Sequence, residues 1–422
     1  MFKTLRNAWS IPELRKKLIF TLFILLLYRI GNVIPVPFVD KDAMGAFFDS
    51  SLSNTILGLY NVMSGSAFSQ ASVMALGIQP YINASIIIQL LTVAIPALER
   101  MAKEQGEIGK KKIERITRYS TVGLGLLLGF AYYTIIANNG TVLTQTGFLP
   151  AVVIILTFAA GSSVVMWMGE QINEFGIGNG ISVILFANII AGFPSMVNYI
   201  SAGIFQWWVA LIIAVVVLLL VVFIVFINDA ERRIPIQYAK RVVGRKVYGG
   251  QSTNLPIKVS MSGVMPVIFA QSIVSVPATI CAFIGVKSGW WYDNVFSPTG
   301  WIYVALYGLL IFFFSWFYST IQYDPVEISN NLKKNGGFIP GFRPGKPTGD
   351  FIKKVINKIL VFGAVYLAVV ALLPMIGNIL VENLQYLAIG GTSIIIVVGV
   401  ALETVKALEA QMLMRHYKGF LD

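Results

Sequence analysis

The 422-residue chain contains one cysteine, Cys281, and one histidine, His416. A lone cysteine excludes an internal disulfide framework and any CxxC-type zinc or redox site. A lone histidine excludes a His-ligated metal cluster, a His-Glu-x-x-His motif and any Ser–His or Cys–His mechanism within the apolar segments. Charge is scarce as well, at 12% of residues, where a soluble chain carries about 25%. Hydrophobic residues instead make up 56%, and the mean hydropathy is +0.74. Water is therefore not the solvent of this chain. A membrane span takes about 20 predominantly apolar residues. Continuous runs such as Trp208 to Ile227 differ from the alternating segments of about 10 residues that build a membrane β-barrel, so the spans are helices.

Ten such runs fall at about 18–37, 76–97, 118–138, 150–170, 180–199, 207–228, 259–285, 301–322, 355–376 and 385–404. The first, preceded by Lys3, Arg6, Arg15, Lys16 and Lys17, is too long for a signal peptide and has no small-residue cleavage site after it, so it reads as a span that stays. An even number of spans puts both termini on one side. Of the 32 lysines and arginines, 29 lie in the N-terminal segment, the alternate loops 98–118, 228–258 and 323–358, and the tail. The exceptions are Arg29 within the first span and Lys41 and Lys287 on the opposite face. This bias places both termini and the long basic loops in the cytoplasm.

The outer excursion from Phe38 to Ala75 is long, and its stretch Tyr60 to Met74 is mildly apolar and rich in small residues. As a helix it would reach only about 20 Å at 1.5 Å per residue, short of a hydrocarbon core of about 30 Å. It either lies on the surface or re-enters the membrane, and re-entrant backbone requires protein or a water-filled cavity around it. The long excursion after span one is outside and the one after span six is inside, which suggests an inverted repeat of five plus five spans.

Charged groups inside spans mark ion or proton pathways. Arg29 is the clear case, and its position favours a structural anchor that snorkels or meets a polar partner toward the outer face. Glu170 and Glu174 read as solvated caps of the fourth span. Tyr323-Asp324 could be half of an aspartyl-protease pair, but Gly176-Ile-Gly-Asn-Gly180 offers Asn179 where the second acid belongs. Two-carboxylate chemistry needs both acids in one site, so that glycine-rich stretch reads as a tight interhelical turn before Ile181. Two basic loops remain. Glu231-Arg-Arg-Ile-Pro-Ile-Gln-Tyr-Ala-Lys-Arg241 alternates Ile234 and Ile236 as a β-ribbon does, and Asn335-Gly-Gly-Phe-Ile-Pro-Gly-Phe-Arg-Pro-Gly345 surrounds Arg343 with four glycines and two prolines. Anchoring to anionic lipid explains their charge but not their length or pattern, which suit a docked partner.

These two loops, together with Ala75-Leu-Gly-Ile-Gln-Pro-Tyr-Ile-Asn-Ala-Ser-Ile-Ile-Ile-Gln-Leu90 and Gly176-Ile-Gly-Asn-Gly-Ile181, resemble the SecY family. The likeness runs in order from Arg29-Ile-Gly-Asn-Val-Ile-Pro-Val-Pro37 to Gly390-Gly-Thr-Ser393 and is closest to the bacterial branch. It implies an all-α integral membrane fold, with ten transmembrane helices in two pseudo-symmetric five-helix halves around a central pore, a short re-entrant plug helix, and a lateral gate between spans two, three, seven and eight. The expected organisation is a cytoplasmic segment 1–17, an N-terminal half 18–200 with the plug at about 60–72, a C-terminal half 201–404 with cytoplasmic loops 229–258 and 323–354, and a cytoplasmic tail 405–422.

The resemblance maps a pore constriction onto Ile82, Ile86, Ile181, Leu185, Ile268 and Ile396, where Leu185 replaces a commoner isoleucine. It maps the plug onto Tyr60, Asn61, Val62, Met63, Ser64, Gly65, Ser66, Ala67 and Phe68. Sites for cytoplasmic partners map onto Arg233, Arg241, Arg245, Lys246 and Arg343. It further implies no enzymatic activity and no cofactor, and a place in the bacterial inner membrane. The implied partners are the small membrane subunits SecE and SecG, the SecA motor ATPase, the ribosome, unfolded preprotein with its signal peptide, and membrane lipid. The function implied is passage of unfolded polypeptides across the membrane and release of hydrophobic segments sideways into lipid. A secondary transporter for a small solute is the alternative. It would need convergent polar groups at the midplane, for which the spans offer Arg29 and neutral residues such as Gln89, Asn188 and Gln271.

Overall fold

The structure is a computed structural model that describes residues 2–49, 56–104, 106–137, 142–194, 207–238, 241–243, 246–248, 252–261, 263–284, 289–291, 294–295, 300–380 and 391–418. Each of the ten expected spans falls on a helix: α2 (Pro12–Gly31), α5 (Gln79–Ala94), α7 (Gly106–Ala137), α8 (Phe148–Phe175), α9 (Gly180–Ala191), α10 (Trp207–Asp229), α11 (Met265–Ile284), α12 (Trp301–Gln322), α14 (Lys346–Leu380) and α15 (Gly391–Lys418). The remaining helices are α1 (Phe2–Ser10), α3 (Lys41–Phe47), α4 (Ile56–Ser64), α6 (Pro96–Glu104) and α13 (Pro325–Lys334). Four helical stretches among the described residues are long and apolar enough to cross a membrane by themselves, and a fifth is if α5 and the start of α6 count as one span bent by 105°.

Several boundaries differ from the expected ones, for local reasons. The first span begins six residues early because Pro12 supplies a ready first helical turn. It ends at Gly31, so that 32–37 is turn and extended chain rather than helix. The second ends at Ala94, where the chain turns into α6 at Pro96, a residue that cannot continue a helical hydrogen-bond ladder. Helices α7, α14 and α15 run beyond the apolar core into charged sequence, which helical geometry tolerates once it is in water. The seventh span starts at Met265 rather than 259, after Gly263 with φ +59°. Residues 195–199 and 385–390 of the expected spans lie outside the described residues.

The two ends of the chain meet. Ala8, Leu14, Ile177 and Leu408 form one buried cluster, and Thr4 Oγ1 donates to Glu409 Oε1 at 3.1 Å. At the ends of other spans, Lys406 pairs with Asp229 and Arg118 with Glu170, both at 2.7 Å. Glu170 is thus an ion-pair partner rather than a free cap. Both members of the rejected acid pair serve as helix N-caps. The Asn179 side chain accepts from the amide of Ile181, after a turn through Gly178 at φ +78°, and Asp324 accepts from the amides of Val326 and Glu327.

The basic loops fold into a small β-structure. Strand β1 (Glu231–Tyr238) pairs antiparallel with β4 (Ser252–Lys258) in the register Ile234↔Leu255 and with β5 (Gly337–Phe338) through Gln237↔Phe338. A separate ribbon joins β2 (Arg241–Val243) to β3 (Lys246–Tyr248). The alternation seen in the sequence holds: Ile234 and Ile236 are buried, and with Ile257, Met261, Leu332, Ile339, Ile352, Ile356 and Leu360 they form a second core, separate from the main apolar cluster. In water each buried isoleucine contributes about 1.5–3 kcal/mol, enough to bind the two loops and the start of α14 into one rigid platform.

Candidate functional site: the re-entrant segment and its surroundings

The re-entrant segment departs from the expected helix over about 60–72. Helix α4 starts earlier and stops at Ser64, and residues 65–78 are turns and bends, with Ser72 in a β-bridge to Pro35. The stop has a clear cause. Gly65 has φ +67°, its amide donates to the carbonyl of Val62 at 3.1 Å, and the amide of Ser66 donates to the carbonyl of Asn61 at 2.9 Å. That pair of hydrogen bonds is a Schellman C-cap. Asn61 Oδ1 also accepts from the amide of Ser69 at 2.9 Å, and Ser64 Oγ from the amide of Phe68 at 3.1 Å. Ala67 and Phe68 are buried, and the Phe68 ring packs edge-on to Phe48 and tilted against Tyr132. Tyr132 Oη donates to the Phe68 carbonyl.

A helix end leaves carbonyls without intrahelical partners. Those of α4 are taken by side chains from other spans. Asn188 Nδ2 donates to the Met63 carbonyl at 2.7 Å and to Tyr28 Oη at 2.9 Å. Tyr28 Oη and Asn32 Nδ2 donate to the Ser64 carbonyl at 3.4 and 3.3 Å. Arg29 donates to the Gly65 carbonyl at 3.4 Å and also to the carbonyl of Ala187 in α9. The anchoring role expected for Arg29 is therefore met by main-chain carbonyls, with its positive charge at the negative end of α4. From the other half, Tyr60 Oη lies 3.1 Å from Ser275 Oγ. Gln79 and Gln271 both direct Nε2 at Met63 Sδ, at 3.1 and 3.4 Å.

Five of the six residues expected at the constriction, Ile82, Ile86, Leu185, Ile268 and Ile396, are buried, and Ile181 is half-buried against them. All belong to the one large apolar cluster that also contains Leu57, Met63 and Phe68 of the re-entrant segment. Helix α4 packs on α9 and α11, and α5 packs on α11, so the elements carrying Ile82, Ile86, Ile181, Leu185 and Ile268 converge on the same segment.

Among the basic residues, Arg233 and Arg343 are exposed on the β-platform, Arg233 in an ion pair with Glu231 at 2.7 Å. Arg241 and Lys246 open the two strands of the small ribbon, and Arg245 lies outside the described residues. The loop of Arg343 is shaped by stacking of Phe342 on Phe351, with ring centroids 4.2 Å apart, and by a hydrogen bond from Thr348 Oγ1 to the Arg343 carbonyl at 2.8 Å.

Sequence reasoning missed Tyr28, Asn32, Gln79 and Tyr132 as partners of the re-entrant segment. It placed Asn188 and Gln271 among candidates for a solute site, whereas both engage Met63. The legible signal was polar side chains spaced to share a helix face with expected constriction residues. Gln79 lies three positions before Ile82, Gln271 three after Ile268, and Asn188 three after Leu185.

Comparison with known proteins agrees with this architecture. The SecY family model matches residues 72–405. The chain is 43% identical to the protein translocase subunit SecY of Streptomyces scabiei, with all of both chains covered, and 42% identical to that of Thermotoga maritima, with 100% of this chain and 98% of that one covered. Two solved structures share the fold over 97% of this chain and 97% of theirs. A protein-conducting channel gives a TM-score of 0.66 at 17% identity, and a SecY channel described for the plug domain that stabilises its closed state gives 0.65 at 18%. The family match over residues 72–405, full-length likeness to translocase subunits at 43% identity and the shared fold establish that the chain belongs to the SecY family, the multi-pass membrane subunits of protein translocases.

Proposed function

We propose that this protein is the central pore-forming subunit of a bacterial inner-membrane translocase, with both termini in the cytoplasm. Residues 18–200 and 201–404 are its two halves. It passes unfolded polypeptides outward between them and releases hydrophobic segments sideways into lipid. Ile82, Ile86, Ile181, Leu185, Ile268 and Ile396 form the constriction. An apolar constriction strips an ion of hydration without replacing it, and β-branched isoleucines are stiff enough to reseal around chains of differing width. Residues 60–68 act as the plug. The single observation that carries this reading is the burial of the re-entrant segment in one apolar cluster with all six aliphatic residues. It accounts for a channel that is shut when idle with no charged filter.

The orientation rests on the 29 of 32 basic residues assigned to one side. Arg233 and Arg343 offer SecA or the ribosome a basic surface on the β-platform, Arg241, Arg245 and Lys246 are further contacts for the same partners, and SecE and SecG are the small subunits in the membrane. One of the similar folds, Sec61 of a canine ribosome–channel complex, has a TM-score of 0.62, which supports a ribosome as one partner. The test is to trap a stalled secretory chain and crosslink it to cysteines placed at Ile82 and Ile181 in a Cys281→Ser background. Crosslinks at both positions are expected. Crosslinking only at lipid-facing controls such as Leu219 would reject the pore.

A further inference from the structure

Three buried carboxamides converge on one residue of the plug. Gln79, Asn188 and Gln271 are 6%, 0% and 7% exposed, and they reach Met63 through its sulfur, its carbonyl and its sulfur respectively. Each directs its NH2 group at Met63, Asn188 also at Tyr28 Oη, while the amide oxygens Gln79 Oε1, Asn188 Oδ1 and Gln271 Oε1 find no hydrogen-bond partner among the described residues. A sulfur is a weak acceptor, so two of the three amides are held well below their hydrogen-bonding capacity. Within this segment, the neighbouring donors Arg29, Tyr28 and Asn32 reach the main-chain carbonyls of residues 64 and 65. Four of the six side chains, Asn188, Arg29, Tyr28 and Asn32, thus read this stretch by its main chain, and Gln79 and Gln271 meet only the weak sulfur acceptor of Met63.

We propose that Gln79, Asn188 and Gln271 form a main-chain-binding site for the translocating polypeptide, which Met63 to Gly65 fill while the channel is idle. This rests on the function proposed above. When the plug leaves, buried donors lose their acceptors, a loss that favours any group able to replace them. An extended chain presents a carbonyl and an N–H at about every 3.3 Å, whatever its sequence. Its carbonyls take the amide donors and its N–H groups take the three unpartnered oxygens, which the plug leaves unused. Each site engages one peptide unit at a time and releases it readily, as a channel that must not retain its cargo requires.

The test removes the plug first, so that any role in holding it disappears. Full-length protein deleted for residues 61–69 is reconstituted with its membrane partners and motor, and the transit rate of a denatured secretory protein is measured with and without Asn188→Leu. The site predicts transit slower by about fivefold, the equivalent of about 1 kcal/mol for one net hydrogen bond, with Asn188→Ser restoring most of the rate. A rate unchanged or raised by Asn188→Leu overturns the proposal and leaves these side chains only a plug-holding role. Gln271→Leu, which removes only a contact to sulfur, decides by the same criterion should Asn188→Leu fail to assemble. If the deleted parent carries folded, inserted channel but moves no polypeptide, the function proposed above fails, and this inference with it.

Discussion

Arg29 donates to the carbonyl of Gly65, and it can do so because Gly65 has no side chain. A Cβ there would lie 2.8 Å from Arg29 Nη1 and 2.9 Å from Asn188 Oδ1, at a backbone φ of +67° that L side chains rarely adopt. Gly65→Ala is expected to cost about 1–2 kcal/mol from the left-handed backbone alone, with displacement of Arg29 added. Vesicles holding this variant should show raised idle ion conductance with normal insertion. Parental conductance would mean that the Gly65 turn does not govern the seal.

The platform arginines lie in water and carry no core packing. Arg343→Glu and Arg233→Glu should therefore leave expression and membrane insertion unchanged while blocking secretion, since reversal sets like charges against an acidic partner at a cost of several kcal/mol. Loss of the exposed Arg233–Glu231 ion pair itself accounts for no more than about 1 kcal/mol. In vivo secretion assays with a quantified membrane fraction check this, and normal secretion by both variants would reduce the loops to lipid anchors.

The helical spans were legible because hydrophobic length is a local property, and each of the ten runs falls on a helix among the described residues. The ribbon was legible for the same reason, since Ile234 and Ile236 alternate with exposed neighbours. What could not be read was decided by partners distant in sequence or by hydrogen bonds at chain ends. Glycine alone did not mark the end of α4, since Gly58 lies within the helix and Gly65 ends it; the difference is the left-handed φ of Gly65 and the hydrogen bond of the Ser66 amide. Arg29 could be recognised as an anchor, but its acceptors at Gly65 and Ala187 are 36 and 158 residues away. Asn188 resembled a solute ligand in sequence because a buried amide has the same letter whether it binds cargo or the chain itself.

Topology is open to direct labelling. Lys111, Lys346 and Asp49 are exposed. In a Cys281→Ser background, cysteines at Lys111 and Lys346 should react only when an impermeant thiol reagent reaches the cytoplasm, and one at Asp49 should react from outside. The opposite pattern would invert the orientation read from the basic residues.

The seal itself gives the most direct test. Ile82, Ile86 and Ile268 are buried in the cluster that also holds Leu57, Met63 and Phe68 of the re-entrant segment, and if they form the proposed constriction, replacing all three by serine admits water there. Single-channel or vesicle conductance of this triple variant, with folding and insertion verified, should show a persistent idle ion current. That current should outlast the one seen on deleting residues 61–69, where neighbouring segments can substitute for the plug. A triple variant as tight as the parent would remove these residues from the pore and contradict the account.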